Sequence, residues 1–255
     1  MLRRNFLKTA GVVAVAPALK EIPGISSTTA KKEIYEWRVY TLHKGADKLD
    51  QFYEKTLIPA YNRQGIKVGA FSLFNKEEEE KRFYLFIYPD FSAYHTIKNN
   101  IWEDNVFRKA AQPFYDETAP EPVYSNYETF LSEAFDKIPQ LRMPDKDRGL
   151  FELRLYHSPN DEANRRKVGM FNAEEIDVFD KVGIHSVFYG DILAGSRMPA
   201  LMYLTWYKDK EAREEAWGKF GKHPDWIGMK DKPEYAHTAT NNTSTYLLPL
   251  PYSQI

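Results

Sequence analysis

One six-residue pattern occurs twice in this chain. Tyr35-Glu36-Trp37-Arg38-Val39-Tyr40 returns 116 residues later as Phe151-Glu152-Leu153-Arg154-Leu155-Tyr156, both reading aromatic-Glu-apolar-Arg-apolar-Tyr. Other pairs follow in the same order at comparable offsets. Gly65-Ile66 answers to Gly183-Ile184, the apolar run Phe83–Tyr88 to Leu201–Trp206, and Phe130-Leu131 to Leu247-Leu248. A chain that repeats itself at this length consists of two copies of one supersecondary unit, so the fold need be worked out only once. The copies span residues 34–133 and 150–250. Between them lies 134–149, a charged segment with two prolines that suits a linker.

Each copy reads strand, helix, strand, strand, helix, strand. Ile34–Leu42 alternates as a strand. Leu49, Phe52, Tyr53, Leu57, Ala60 and Tyr61 then recur at steps of three and four, the signature of an amphipathic helix, which Pro59 should kink. Val68–Phe74 and Arg82–Tyr88 flank a glutamate-rich polar tip, Asp90 is placed to cap the next helix, and Val123–Leu131 supplies the last strand. In the second copy Glu162–Asp180 is helical with an interruption near Asn172, and Asp209 opens a helix stopped by Pro224. This β-α-β-β-α-β order is ferredoxin-like, with helices over one face of an antiparallel sheet. Two such units in tandem can cover their bare faces against each other. The expected fold class is therefore α+β: two ferredoxin-like units packed sheet to sheet as an intrachain α+β barrel.

Strand parity leads from fold to a candidate site. Phe151, Leu153 and Leu155 point to one side, and Glu152, Arg154 and Tyr156 to the other. The apolar set is expected against the helices. Glu36, Arg38, Tyr40, Glu152, Arg154 and Tyr156 are expected inside the barrel, paired or hydrated because lone buried charges are costly. Such an interior would be a polar pocket whose arginines hold an anionic group and whose carboxylates and tyrosines orient it. The same six residues could instead form two Glu–Arg bridges that fix the register of the halves without a ligand. His185 alternates with Val187 and joins the candidates; His43 and His157, each after the first strand of its copy, are placed at a pocket mouth.

Composition narrows the chemistry. The 255 residues carry 35 basic and 36 acidic side chains, a balance that excludes nucleic acid as the main partner. Cysteine is absent, which removes disulfides, thiolate nucleophiles and Cys-ligated metal sites. The six histidines show no metal-binding spacing, so no metal is expected. No cofactor is required by the sequence; a haem on one axial histidine leaves no spacing signature and stays open. Dinucleotide, phosphate-loop and nucleophile-elbow motifs are missing. His223-Pro224-Asp225-Trp226 reads as a helix end packed by tryptophan.

The N-terminus reads as an address. Arg3-Arg4-Asn5-Phe6-Leu7-Lys8 precedes the apolar and small-residue run Thr9–Leu19 and a looser stretch to Ala30. Eleven residues are too few to span a bilayer, which needs about 20 in a helix. Residues 1–30 resemble a twin-arginine signal, with Leu2 where that pattern prefers Ser or Thr. This implies export of the folded protein, to the periplasm of a bacterium, and no stable membrane span.

Over nearly all of 34–254 the chain resembles the NIPSNAP family of the dimeric α+β barrel superfamily. The likeness rests on the two six-residue patterns, Arg197-Met198-Pro199-Ala200-Leu201, His223-Pro224-Asp225-Trp226 and Leu247-Leu248-Pro249-Leu250-Pro251-Tyr252-Ser253. Trp37 stands where the family usually has Leu, and the first copy lacks a clear Pro-acidic-Trp motif, marking it as the more diverged half. The resemblance implies the barrel and no catalytic residue to carry over; relatives in the superfamily include cofactor-free oxygenases and haem enzymes. Two functions follow as expectations. One is binding of a small anionic or aromatic molecule between the sheets, with or without catalysis. The other is a non-enzymatic structural or interaction module with a closed barrel. Assembly into a homo-oligomer is compatible with either.

Overall fold

A computed structural model describes residues 31–43, 45–75 and 79–255. Residues 1–30, read from the sequence as an export signal, and part of the glutamate-rich tip lie outside the described residues. The first half runs β1 (Ile34–Leu42), α1 (Ala46–Phe52), a π-helical turn (Tyr53–Leu57), α2 (Ile58–Arg63), β2 (Lys67–Leu73), β3 (Lys81–Tyr88), α3 (Phe91–Glu103), α4 (Asn105–Thr118) and β4 (Tyr124–Ala134). The second runs β5 (Leu150–His157), α5 (Asp161–Met170), a π turn (Phe171–Glu175), α6 (Ile176–Val182), β6 (His185–Ala194), β7 (Ala200–Tyr207), α7 (Lys210–Lys222), α8 (Pro224–Lys230), a 3-10 turn (Pro233–Tyr235) and β8 (Asn241–Pro249).

Local chemistry accounts for the element ends. Gly65 and Gly183 adopt φ of 79° and 86°, the left-handed conformation that terminates a helix. In both copies the following isoleucine returns its N–H to the last turn, Ile66 to Tyr61 O (3.0 Å) and Ile184 to Phe179 O (3.1 Å), and buries its side chain. The Asp90 and Asp209 carboxylates accept from the N–H of Ala93 (2.7 Å) and Ala212 (2.8 Å), capping α3 and α7. The expected interruption near Asn172 is the π turn Phe171–Glu175. Its counterpart Tyr53–Leu57 lies just before Pro59, whose missing N–H an uninterrupted helix would have needed. His223 caps α8, its Nδ1 accepting from Asp225 N (3.2 Å), and Trp226 packs on Phe220 with ring centroids 4.4 Å apart.

All strand pairings are antiparallel, and the order β1-β3-β2-β8-β5-β7-β6-β4 closes on itself. Each half supplies four neighbouring strands in ferredoxin-like order. The halves join where β2 meets β8 and where β4 meets β6. At the second seam a Cβ on Gly190 would lie 2.3 Å from Ser132 Oγ, so only glycine permits that approach. At the first, β8 pairs only with Phe71–Leu73, and residues 250–255 take over. Leu250 N donates to Ala70 O (2.9 Å), Gln254 N to Val68 O (3.1 Å) and Ala70 N to Ser253 Oγ (2.9 Å). The Leu-Pro-Tyr-Ser ending therefore pairs an edge that would otherwise be open.

The strand faces are reversed from the expectation. Tyr35, Trp37, Phe71, Phe83, Phe151, Leu153 and Phe188 form the barrel interior. Trp37 stacks on Phe71 (5.7 Å, 26°), which meets Phe151 from the other half at 5.0 Å. Glu36, Arg38, Tyr40, Glu152, Arg154 and Tyr156 lie on the outer face, beneath the helices. The alternation itself holds; the side assigned to each set does not. The reason is electrostatic. An interior lined by apolar side chains from eight strands offers charges few partners, whereas the helices carry Lys98 and Arg213 to neutralise the two carboxylates. With both faces covered, β7 is buried at every position.

Candidate functional site

In the first half the outward residues of β1 meet α1, α2, α3 and α4. Arg38 Nε donates to Glu36 Oε1 (2.8 Å) and Nη2 to Oε2 (3.1 Å), a bidentate pair between residues on the same face of one strand. Lys98 from α3 donates to Glu36 Oε1 (2.9 Å), and Tyr88 OH to Oε2 (2.9 Å). Burial would raise the Glu36 carboxyl, yet Arg38 and Lys98 together hold it at about 2. Two cations thus surround one anion. Burial lowers the Lys98 ammonium, and the charge of Arg38 lowers it further.

Above this triad is a cavity of about 250 Å³. Arg38, Lys98, Tyr40, Tyr61 and Tyr115 line it, and Trp102 and Tyr127 are at its exposed edge. The Arg38 guanidinium lies 4.1 Å from the centroid of Phe86 and 5.7 Å from that of Tyr127. Its Nη2 donates to Tyr61 Oη (3.3 Å), and Tyr53 donates to Tyr40 Oη (2.8 Å). Burial pushes the Tyr40 and Tyr61 hydroxyls above their ordinary range and Tyr115 up to about 12, so all three are neutral at pH 7. An aromatic slot with one surplus positive charge and neutral hydroxyls can hold a planar molecule by stacking and its anionic group by hydrogen bonds.

The second half builds the same triad and lays an indole ring over it. Arg154 donates to Glu152 Oε1 (2.7 Å), as do Arg213 Nη2 (2.7 Å) and Ser244 Oγ (2.6 Å). Trp217 Nε1 donates to Glu152 Oε2 (3.1 Å), and its ring lies 4.3 Å from the Arg154 guanidinium. Counted from the capping aspartates, Trp217 and Lys98 are both eighth residues. The indole fills the volume that the slender lysine leaves open. Counted along the π turns, Glu175 replaces Leu57 and Lys167 replaces Leu49, and this buried pair (2.9 Å) occupies more of the space.

The candidates therefore fall into two sites. Glu36, Arg38 and Tyr40 gather at the open pocket, and Glu152, Arg154 and Tyr156 at its filled counterpart, with no bridge from one triad to the other. His185 joins neither: it is exposed at the start of β6, stacked on Trp206 at 4.4 Å. His43 is exposed, and His157 is half-buried with its Nε2 lacking a hydrogen-bond partner. No histidine lines the first-half cavity, so its residues do not fit a haem held by an axial histidine. Among the described residues no group of three metal-ligating side chains occurs, and no helix is long and apolar enough to cross a membrane. Lys98 and Tyr61 leave no trace in the strand parity because they come from helices. The readable signal for Lys98 was its place two turns past the capping Asp90 on a helix that must cover a carboxylate.

The family model for NIPSNAP matches residues 151–254. The second half of this chain is similar to a NIPSNAP domain. The matched residues are the second copy, in line with the first being the more diverged. Among solved structures, a protein of Fusobacterium nucleatum provisionally named a monooxygenase aligns with 86% of this chain and 93% of its own at 10% identity and a TM-score of 0.52. One from Lactobacillus acidophilus, also provisionally named a monooxygenase, aligns with 86% and 94% at 8% identity and the same TM-score. Both share the fold of the tandem barrel. A NIPSNAP-like domain protein of Burkholderia xenovorans aligns with 43% of this chain and 91% of its own at 20% identity and a TM-score of 0.38. A search of curated protein sequences finds no match.

Proposed function

We propose that the chain is an exported small-molecule-binding protein whose diverged first half takes a planar aromatic monoanion, while the NIPSNAP-like second half serves as its structural partner. The observation that carries this reading is the contrast between two equivalent triads: one is covered by Trp217, the other opens onto a cavity with an uncompensated cation. A carboxylate or phenolate seated there would neutralise the surplus charge of Arg38 and Lys98 and stack among the tyrosines. At about 250 Å³ the cavity suits one or two fused rings, near the lower end of small-molecule sites. A closed interaction module is the less favoured reading, because it leaves the open half without a purpose.

Isothermal titration with benzoate, salicylate and 1-hydroxy-2-naphthoate tests the proposal. Binding of at least one of them, lost in Lys98→Trp and kept in Trp217→Phe, supports it; heats unchanged by Lys98→Trp would refute it. The provisional names of the two structural neighbours suggest the reaction to assay, oxygen consumption with an electron-rich hydroquinone under air.

A further inference from the structure

The barrel has two unlike ends. At the end where β1 and β5 begin, the interior is stoppered. Ile255 is fully buried there, its side chain so close over Gly69 that an added Cβ would lie 2.7 Å from Cδ1, and Leu141 of the connecting segment packs on the same cluster. At the opposite end Val39, Leu73 and Leu155 face the barrel axis yet stay only half-buried, which an aliphatic side chain in a closed core would not. They surround a cavity of about 280 Å³ whose deeper wall is Trp37, Phe83, Leu153 and Met202. The Trp37 side chain at its floor is fully buried, and its indole N–H has no hydrogen-bond partner among the described residues, which makes it a sensitive reporter of what enters the cavity. Thr243, Thr245, Glu128, Lys81 and Arg197 form the rim. Lys81 is 3.9 Å from Glu79, whereas no ion pair of Arg197 occurs among the described residues.

We propose that this open end is a second binding site, distinct from the Arg38 pocket, for an amphipathic molecule with a flexible apolar body and a carboxylate head. The body lies on Leu153, Leu155 and Met202 above Trp37, and the head is taken by the forked donors of Arg197 with the two threonine hydroxyls beside it. A saturated chain fits better than a ring system, because the wall is mixed aliphatic and aromatic and the mouth is ringed by aliphatic side chains. Glu128 is the opposing charge at the rim and limits affinity for an anion.

Decanoate is the probe, followed through the indole N–H resonances of the full-length protein by NMR. The Trp37 resonance, assigned by its loss in Trp37→Phe, should shift to saturation at one equivalent. Arg197→Gln should weaken binding about tenfold, and Glu128→Gln should tighten it. Lys98→Trp, which fills the other pocket, should leave it unchanged. Met202→Trp should abolish it; Leu155→Trp at the mouth serves the same end should the deeper replacement unfold the barrel. A motionless Trp37 resonance, insensitivity to both Arg197→Gln and the filling replacements, or loss of binding in a folded Lys98→Trp protein would each overturn the proposal. The last result would place decanoate in the first-half pocket.

Discussion

Lys98 and Trp217 occupy the same helical position in the two halves, Lys98 lining a cavity beside Arg38 and Trp217 lying over Arg154. One reaches Glu36 with its amine and leaves space over Arg38; the other reaches Glu152 with its indole N–H and covers Arg154 at 4.3 Å. Exchanging them should exchange the property. Lys98→Trp should eliminate ligand binding by the first half with little loss of stability. Trp217→Lys should open a cavity over Arg154 and destabilise the chain, by less than the roughly 3–5 kcal/mol of a fully buried aromatic because Trp217 is half-buried. Urea unfolding and calorimetric titration of both variants check this.

The Glu36 triad predicts acid sensitivity. Its carboxyl is held at about 2, below the ordinary value of 4.5, so the unfolded chain takes up a proton more readily than the native one. The contribution is fully present above pH 4.5 and disappears as pH falls toward 2, amounting to roughly 3 kcal/mol. Glu152 is shifted in the same direction: burial opposes ionisation, but hydrogen bonds from Arg213 and the charge of Arg154 outweigh it. Thermal unfolding measured from pH 5 to pH 2 should fall steeply for the natural chain and less steeply for Glu36→Gln. Equal slopes would remove Glu36 from the account.

Lys167 and Glu175 are nearly inaccessible and pair at 2.9 Å where the first half has Leu49 and Leu57. Lys167→Met strands the carboxylate and should destabilise the chain by about 3–5 kcal/mol. The double replacement Lys167→Leu with Glu175→Leu imitates the first half and should recover most of that loss. Denaturant midpoints of the single and double variants give the comparison.

Ile255 should matter as a core residue despite its place near the end of the described chain. Ile255→Ala removes a fully buried side chain from the barrel stopper and should cost about 2–5 kcal/mol. Protection of the Val68 and Ala70 amides against hydrogen exchange reports whether the tail has loosened. Unchanged stability and protection would contradict the stopper role.

The proposal of export rests on Arg3 and Arg4. Replacing both by lysine should keep the protein in the cytosol as an unprocessed chain. Fractionation with an antibody against the barrel gives the result, and normal export of the variant would exclude a twin-arginine route.

Alternation in Tyr35–Tyr40 and Phe151–Tyr156 was sufficient to show that charged and apolar residues part to opposite sides of each strand, and the repeat was sufficient to show two ferredoxin-like copies sharing a barrel. Glycine and aspartate at the helix ends were equally legible, because capping depends on neighbours a few residues away. Which side became the interior was not. That choice depends on partners remote in sequence, Lys98 for Glu36 and Arg213 for Glu152, and on a barrel that has room for aromatic rings but no means of solvating charge. The open pocket was hidden for the same reason. A period-two pattern records that a side chain turns away from its neighbour; only packing against elements sixty residues away determines whether the volume it turns toward is filled by tryptophan or left vacant beside lysine.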